Sequence, residues 1–306
     1  MTRIFINFPT NLGDVILALP ALDRLKGNFP ESRITAIVST KTKDFLFRHN
    51  LIDELVLYDK SWPMDKKREF AFSLRGKFDV AVDLKNTFFP VISGAKLRTP
   101  LIRFFPKNMH ITDKYLGLIS KFTSPDKNIR GEFILEPKEK DKWDKSGIVS
   151  SVFIACSSRS IVKKYPYQNL KEMVELLEKD YHVVILGVQD DRSFYADILK
   201  LKGVVDLVGK TSMIDIFYLL KNYACLVVGV DSSILHFASY LNVPCVSMFG
   251  PTHPGRSYPK SKGSVILCNE ELACRPCEKP TCKFNHECMK VDARDIAKAV
   301  RKILNK

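Results

Sequence analysis

The sequence contains no Gly-x-Gly-x-x-Gly fingerprint, no stretch approaching the ~20 uninterrupted apolar residues of a membrane span, and no helix-turn-helix, zinc-finger or RNA-binding signature. The first absence disfavours a dinucleotide-dependent dehydrogenase, the second an integral membrane protein, the third a nucleic-acid partner. The apolar stretch Ile4 to Phe8 is too short for a secretion signal, so a cytoplasmic protein is expected. Acidic side chains are also scarce. With 34 Asp and Glu against 48 Lys and Arg the formal net charge is +14, which exceeds what solubility requires and favours a phosphorylated substrate or an acidic membrane surface. A chain of 306 residues suits two domains of roughly 150 each.

What is present is a repeated alternation of apolar runs and amphipathic stretches. Strands are expected at residues 3–8, 34–39, 55–58 and 78–84, with a helix after Asp14 and another over 65–74. The pattern restarts with strands at 151–155 and 182–186 and a helix from Gln168 whose Leu170, Met173, Val174 and Leu177 share one face. Ser212 and Asp215 are spaced as a capping pair, and the last helix carries Ile296, Val300, Ile303 and Leu304 as one stripe. Strand-helix alternation implies parallel sheets covered on both faces. The charge-dense stretch from Pro137 to Gly147 reads as a linker, which divides the chain into domains 1–146 and 147–306.

Residues 225–259 organise the rest. One apolar run ends in Val230-Asp231-Ser232-Ser233 and a second in Phe249-Gly250-Pro251-Thr252, with a short helix between them. In open parallel sheets ligands sit outside the carboxyl ends of strands, and a helix N-terminus there suits a phosphate. Asp231 and Ser232 either cap that helix or face a ligand. The same two readings hold for Asp14, as a helix cap or as a general base at the first strand-to-helix turn. The loop after the strand at 151–155 combines Ser157, Ser158 and Lys163, which suits a diphosphate. His236 lies one turn into the helix after Asp231 and either supports the site or packs internally. The basic, aromatic segment from Pro90 to Ile134 includes Arg98, Arg103, Phe104 and His110; it is either a solvated surface or an entrance for an anionic acceptor. Two doubly wound domains would face each other across a cleft, with the two polar turns opposed.

At these residues the sequence resembles glycosyltransferase family 9, the heptosyltransferases of the lipopolysaccharide inner core. The matching parts are Leu12-Gly13-Asp14-Val15 with Leu19-Pro20-Ala21-Leu22; Phe78-Asp79 through Asp83-Leu84; Lys163-Lys164-Tyr165-Pro166; Val230-Asp231-Ser232 with His236 and Ala238; and Phe249-Gly250-Pro251-Thr252 with Pro254. The resemblance implies a GT-B fold of two Rossmann-like domains. It implies inverting transfer of heptose from ADP-L-glycero-D-manno-heptose, with no cofactor needed for catalysis, to a phosphorylated acceptor at the inner face of the cytoplasmic membrane. Carried over by position, Asp14 resembles the base. Ser157, Ser158, Lys163, Asp231, Ser232, Ser233, His236, Gly250 and Thr252 resemble the donor site, and Asn11, Lys85, Arg98, Arg103 and His110 are the candidates for the acceptor. The chain departs from the family at Ser233, where glycine is usual, and at Tyr165, where tryptophan is usual. Another nucleotide sugar, a protein acceptor, or noncatalytic nucleotide-sugar binding are the competing readings.

Five of the eight cysteines crowd into residues 268–288. Cys274-x2-Cys277-x4-Cys282-x5-Cys288 has spacings that can hold a tetrahedral structural metal such as zinc or iron. Disulfides and free thiols are the alternatives for this loop.

Overall fold

The computed structural model describes residues 1–305. The chain divides into two compact units, Met1–Ile134 and the residues from Leu135 onward. In the first unit β1 (Arg3–Asn7), α1 (Leu12–Asn28), β2 (Arg33–Val38), the single turn α2 (Lys43–Leu46), β3 (Glu54–Leu57), α3 (Met64–Ser73), β4 (Val80–Asp83), α4 (Phe89–Ser93), β5 (Leu97–Arg98) and α5 (Ile111–Ile119) follow in order. The five strands are all parallel, in the order β3-β2-β1-β4-β5. β1 and β4 are central, and Ile4, Phe5, Ile6, Val80, Ala81 and Val82 are fully buried. A strand covered on both faces has no polar side, which is why these read as continuous apolar runs.

The second unit runs α6 (Pro137–Asp144), β6 (Ser151–Ala155), α7 (Tyr167–Leu177), β7 (Val183–Ile185), α8 (Arg192–Tyr195), β8 (Val204–Asp206), α9 (Met213–Tyr223), β9 (Ala224–Val230), α10 (Ser233–Tyr240), β10 (Cys245–Met248), β11 (Val265–Leu267) and α11 (Ala293–Leu304). Its six parallel strands are ordered β11-β10-β9-β6-β7-β8, the doubly wound arrangement. The α7 stripe of Leu170, Met173, Val174 and Leu177 is buried as expected, and it shares one core with Ile296 and Val300 of α11, against which Ile303 and Leu304 pack. Ser212 caps α9 by accepting the Asp215 amide at 3.1 Å.

The division between units falls before the stretch expected to be a linker, because that stretch is helix α6. Pro137 occupies a first-turn position, where a missing N–H costs nothing, and Glu139 accepts the Glu136 amide at 2.8 Å. Tertiary bonds then tie α6 to the second unit: Trp143 Nε1 donates to Asp215 Oδ1 at 2.5 Å and the Tyr218 hydroxyl to Asp144 Oδ1 at 2.5 Å. In each sheet the strand order reverses between two central strands, β1 and β4 in one unit and β6 and β9 in the other. The carboxyl ends at such reversals are where open α/β sheets bind ligands.

Candidate active site

In the first unit the hub is Asp83, fully buried at the carboxyl end of β4. Its Oδ1 accepts from Asn7 Nδ2 at 2.8 Å and from the Lys85 amide at 3.0 Å; Oδ2 accepts the Thr87 amide. Asn86 takes a left-handed φ of 66° to close this turn, a conformation asparagine tolerates. Arg103 crosses from the loop after β5 and donates to the Asp83 carbonyl at 2.8 Å and to Oδ2 at 3.3 Å. Burial pulls the Arg103 guanidinium below its usual value, against the attraction of Asp83. Lys85 is pushed down to about 8 by burial and then by Lys60, with Asp83 opposing.

Asp14 lies in the first turn of α1, beyond the cap position, which Asn11 occupies. A negative charge in that turn is stabilised by the helix dipole. Asn11 Nδ2 donates to Asp14 Oδ2 at 3.3 Å. Burial and then the charge of Asp14 push the Tyr115 phenol upward, while Arg103 opposes. The ends of β1 and β4 thus bring together Asn11, Asp14, Lys85 and Arg103, four of the residues named from sequence. The remaining two are placed otherwise. His110 is buried as the cap of α5, its Nδ1 accepting the Thr112 amide at 3.2 Å. Arg98 is exposed on the edge strand β5, bonded to the Ala95 carbonyl at 3.4 Å.

In the second unit Lys163 Nζ donates to Asp231 Oδ2 at 2.6 Å. Asp231 Oδ1 accepts the Ser257 hydroxyl at 3.0 Å and lies 3.7 Å from His236 Nε2. Burial alone would raise the Asp231 pKa, yet His236, Lys163 and Ser257 together hold it below the usual carboxylate range. Ser232 is the cap residue of α10 by position, but its side chain makes no cap bond. Asp231 is consumed by the cluster and does not cap the helix. A pocket of about 340 Å3 adjoins this cluster, lined among others by Ser160, Lys163, Thr252, Arg256, Glu278 and Lys279. Two buried polar atoms in its lining have no hydrogen-bond partner, Thr252 Oγ1 and Arg256 Nε, and neither has Ser232 Oγ, next to Asp231 in the chain. Orphaned buried polar atoms are costly, and two in one pocket lining mark where a polar ligand would be held.

Of the other donor-site residues named from sequence, Ser157 donates to Asp191 Oδ2 at 2.5 Å and Ser158 accepts the Ser160 amide at 3.2 Å; it is Ser160 that lines the pocket. Ser233 begins α10, and Gly250 accepts from Arg275 Nε at 2.8 Å. Tyr165 is fully buried with its hydroxyl bonded to the Val291 carbonyl at 2.6 Å.

The cysteine-rich loop forms one wall of the pocket. Glu278 donates its amide to the Pro251 carbonyl at 2.9 Å and its side chain pairs with Arg256 at 3.0 Å. Sequence reasoning quoted Asp83 within a motif but gave it no role, and it missed Arg256 and Glu278. Cys288 packs into the core of the unit beside Met289, and Cys274, Cys277 and Cys282 lie near enough for their charges to reach its thiol. Among the described residues no group of three or more His, Cys, Asp or Glu side chains is placed to hold a metal, and the cysteines are free. Burial raises the Cys288 thiol first, followed by the charges of Cys282, Cys277 and Cys274.

The model of the family described as glycosyltransferase family 9 (heptosyltransferase) matches residues 104–287. The chain belongs to glycosyltransferase family 9. It is 27% identical over 309 aligned residues to lipooligosaccharide heptosyltransferase 2 of Campylobacter jejuni, covering 94% of each chain. The family 9 structure from Veillonella parvula superposes with a TM-score of 0.81 at 18% identity, covering 99% of this chain and 97% of that one. The Escherichia coli ADP-heptose lipopolysaccharide heptosyltransferase II superposes at 0.75 with 19% identity and 99% coverage of both chains. At these identities the superpositions carry the fold. The family 9 chain is a glycosyltransferase of the GT-B class, with a Rossmann-like sheet in each unit.

Proposed function

We propose that this enzyme transfers heptose from ADP-L-glycero-D-manno-heptose to a phosphorylated lipopolysaccharide inner-core acceptor, with inversion and without a catalytic metal. The observation that carries the donor assignment is the pair of orphaned atoms in the pocket lining, Thr252 Oγ1 and Arg256 Nε, with Lys163 in the same lining and the orphaned Ser232 Oγ next to Asp231 in the chain. These are groups a diphosphate and a sugar would satisfy. Lys163, Arg256 and Lys279 supply the positive charge that the departing diphosphate requires, and the first amides of α10 add to it. The second unit is then the donor-binding domain. The first unit takes the acceptor, with Lys85 and Arg103 facing its acidic groups.

In the proposed reaction Asp14 removes the proton from an acceptor hydroxyl. That oxygen bonds to the anomeric carbon as the bond from that carbon to the diphosphate oxygen breaks, and the electron pair leaves with ADP. Inversion requires attack on the face opposite the leaving group. The expected working place is the inner surface of the cytoplasmic membrane, in keeping with the excess of basic residues. Among the described residues no helix is long and apolar enough to cross a membrane.

The test is a turnover assay with purified protein, a panel of nucleotide sugars and an inner-core acceptor, reading nucleotide release and the anomeric configuration of the product. ADP-heptose should be preferred and the configuration inverted. Preference for a UDP-sugar, or retention, would overturn the reading.

A further inference from the structure

Among the described residues sixteen large apolar side chains are exposed, and five of them, Phe88, Val91, Leu97, Ile102 and Phe104, fall within one stretch of 17 residues. Between Leu84 and Thr112 the chain also has five basic residues, Lys85, Lys96, Arg98, Arg103 and Lys107, and no Asp or Glu. The other exposed apolar residues are spread along the chain, as on any soluble protein.

The fold gathers and stiffens this stretch. Asp83 accepts the amide of Thr87, next to Phe88, and its carbonyl accepts Arg103, which stands between Ile102 and Phe104. Arg103 is further tied to the Pro100 carbonyl at 2.9 Å. From Leu101 to Phe105 the chain alternates. The Arg103 side chain is only 10% exposed, whereas Ile102 is 75% and Phe104 89% exposed. Phe105 turns inward, with a ring carbon 3.3 Å from where a Cβ on Gly117 of α5 would lie. The outward pair is therefore held out by anchored neighbours on either side. Lys96, Arg98 and Lys107 are exposed with them.

Aliphatic and aromatic side chains held outward on a stretch with five basic and no acidic residues match the chemistry of an anionic bilayer surface. The apolar groups enter the headgroup boundary while the ammonium and guanidinium groups meet lipid phosphates. A second copy of the chain fits poorly, because a two-fold pairing of this face would set cation against cation. We propose that residues 88–107 of the first unit dock on anionic phospholipid, with Ile102 and Phe104 seated in the headgroup region. The inference rests on the acceptor reading of the first unit in one respect: it brings a lipid-borne acceptor to the strand ends that carry Asp14 and Lys85.

The test is co-sedimentation of the full chain with vesicles of phosphatidylcholine alone or mixed with phosphatidylglycerol. Wild type should bind the mixed vesicles, bind the neutral ones weakly, and release as salt rises. An Ile102→Ser, Phe104→Ser double variant should partition about tenfold less. A Phe104→Trp variant should shift its emission to the blue on mixed vesicles only. Failure of wild type to bind either vesicle, or equal partitioning of the double variant, overturns the proposal. So does conversion of a dimer to a monomer by the double substitution, which would make the face a self-interface. Transfer to a soluble, delipidated acceptor should be unchanged in the double variant. If wild type fails at that transfer, the proposed reaction falls while the vesicle result stands.

Discussion

Lys163 and Asp231, 68 positions apart, meet in an ion pair of 2.6 Å at the ends of β6 and β9, so neither acts alone. The Asp231 side chain is 9% exposed and that of Lys163 26%, so removing one partner strands the other in a largely dry site. Lys163→Met and Asp231→Asn should each cost about 1–3 kcal/mol in urea denaturation. The double variant should lose less than the sum, with a coupling of about 0.5–3 kcal/mol, while transfer stays low in all three. Additive losses would show that the pair is not coupled.

Asp14 should behave differently, because it is only half-buried in the first turn of α1, beside the exposed cap residue Asn11, and is not part of the core. Asp14→Asn should leave the melting temperature nearly unchanged and lower kcat by about 10²–10⁴ fold, the range for loss of a general base. Unchanged kcat would remove Asp14 from the base role.

The fold was legible because strands buried on two faces cannot hide: Ile4 to Ile6 and Val152 to Ile154 are apolar without interruption. Asp231 and Thr252 stood out as candidates because each follows an apolar run, where a polar residue must serve a turn or a ligand, and Lys163 because it shares a loop with several hydroxyls. Helix α6 was not legible as a packed element, since its attachment depends on Asp215 and Tyr218, more than 70 positions away. The same holds for Arg256 and Glu278, whose significance lies in their mutual contact across a cysteine-rich loop, and for Asp83, whose partners Asn7 and Arg103 come from either side in sequence. Local pattern reports burial; it does not report which distant side chain will arrive.

Gly250 links the pocket to the cysteine-rich loop. A Cβ at this position would lie 2.2 Å from Met289 Sδ and 3.1 Å from Cys288 Sγ, and Met289 is itself buried in the core. Gly250→Ala should therefore cost about 1–3 kcal/mol by overpacking. It should also raise the donor KM, because Glu278 and Lys279 ride on the displaced loop. An unchanged donor KM in a folded variant would show that the loop does not shape the pocket.

His49 should govern part of the acid limb of stability. It is buried against Phe133, its Nε2 has no partner, and burial lowers its pKa to about 4 from 6.5. Between those values the unfolded ring binds a proton and the native ring does not. Stability present above about pH 6.5 is thus lost as pH falls toward 4, by on the order of 3 kcal/mol. In His49→Gln the melting temperature should start lower at pH 7 and fall less steeply; an identical slope would assign the acid limb to carboxylates.

Lys85 makes the opposite kind of pH prediction, on substrate binding. With its pKa near 8, its ammonium is present at pH 7 and is lost on going to pH 9. If that charge meets an acidic group of the acceptor, the acceptor KM should rise over this interval, with kcat changing less. The linkage sign excludes unfolding through this group as the cause. Between about 8 and 10.5 the unfolded lysine binds more protons than the native one, so the contribution of Lys85 to stability improves as pH rises. Lys85→Arg should keep the KM flat to pH 9, and Lys85→Met should show the raised KM already at pH 7. A rise in KM that persists unchanged in Lys85→Arg would assign the titration to another group.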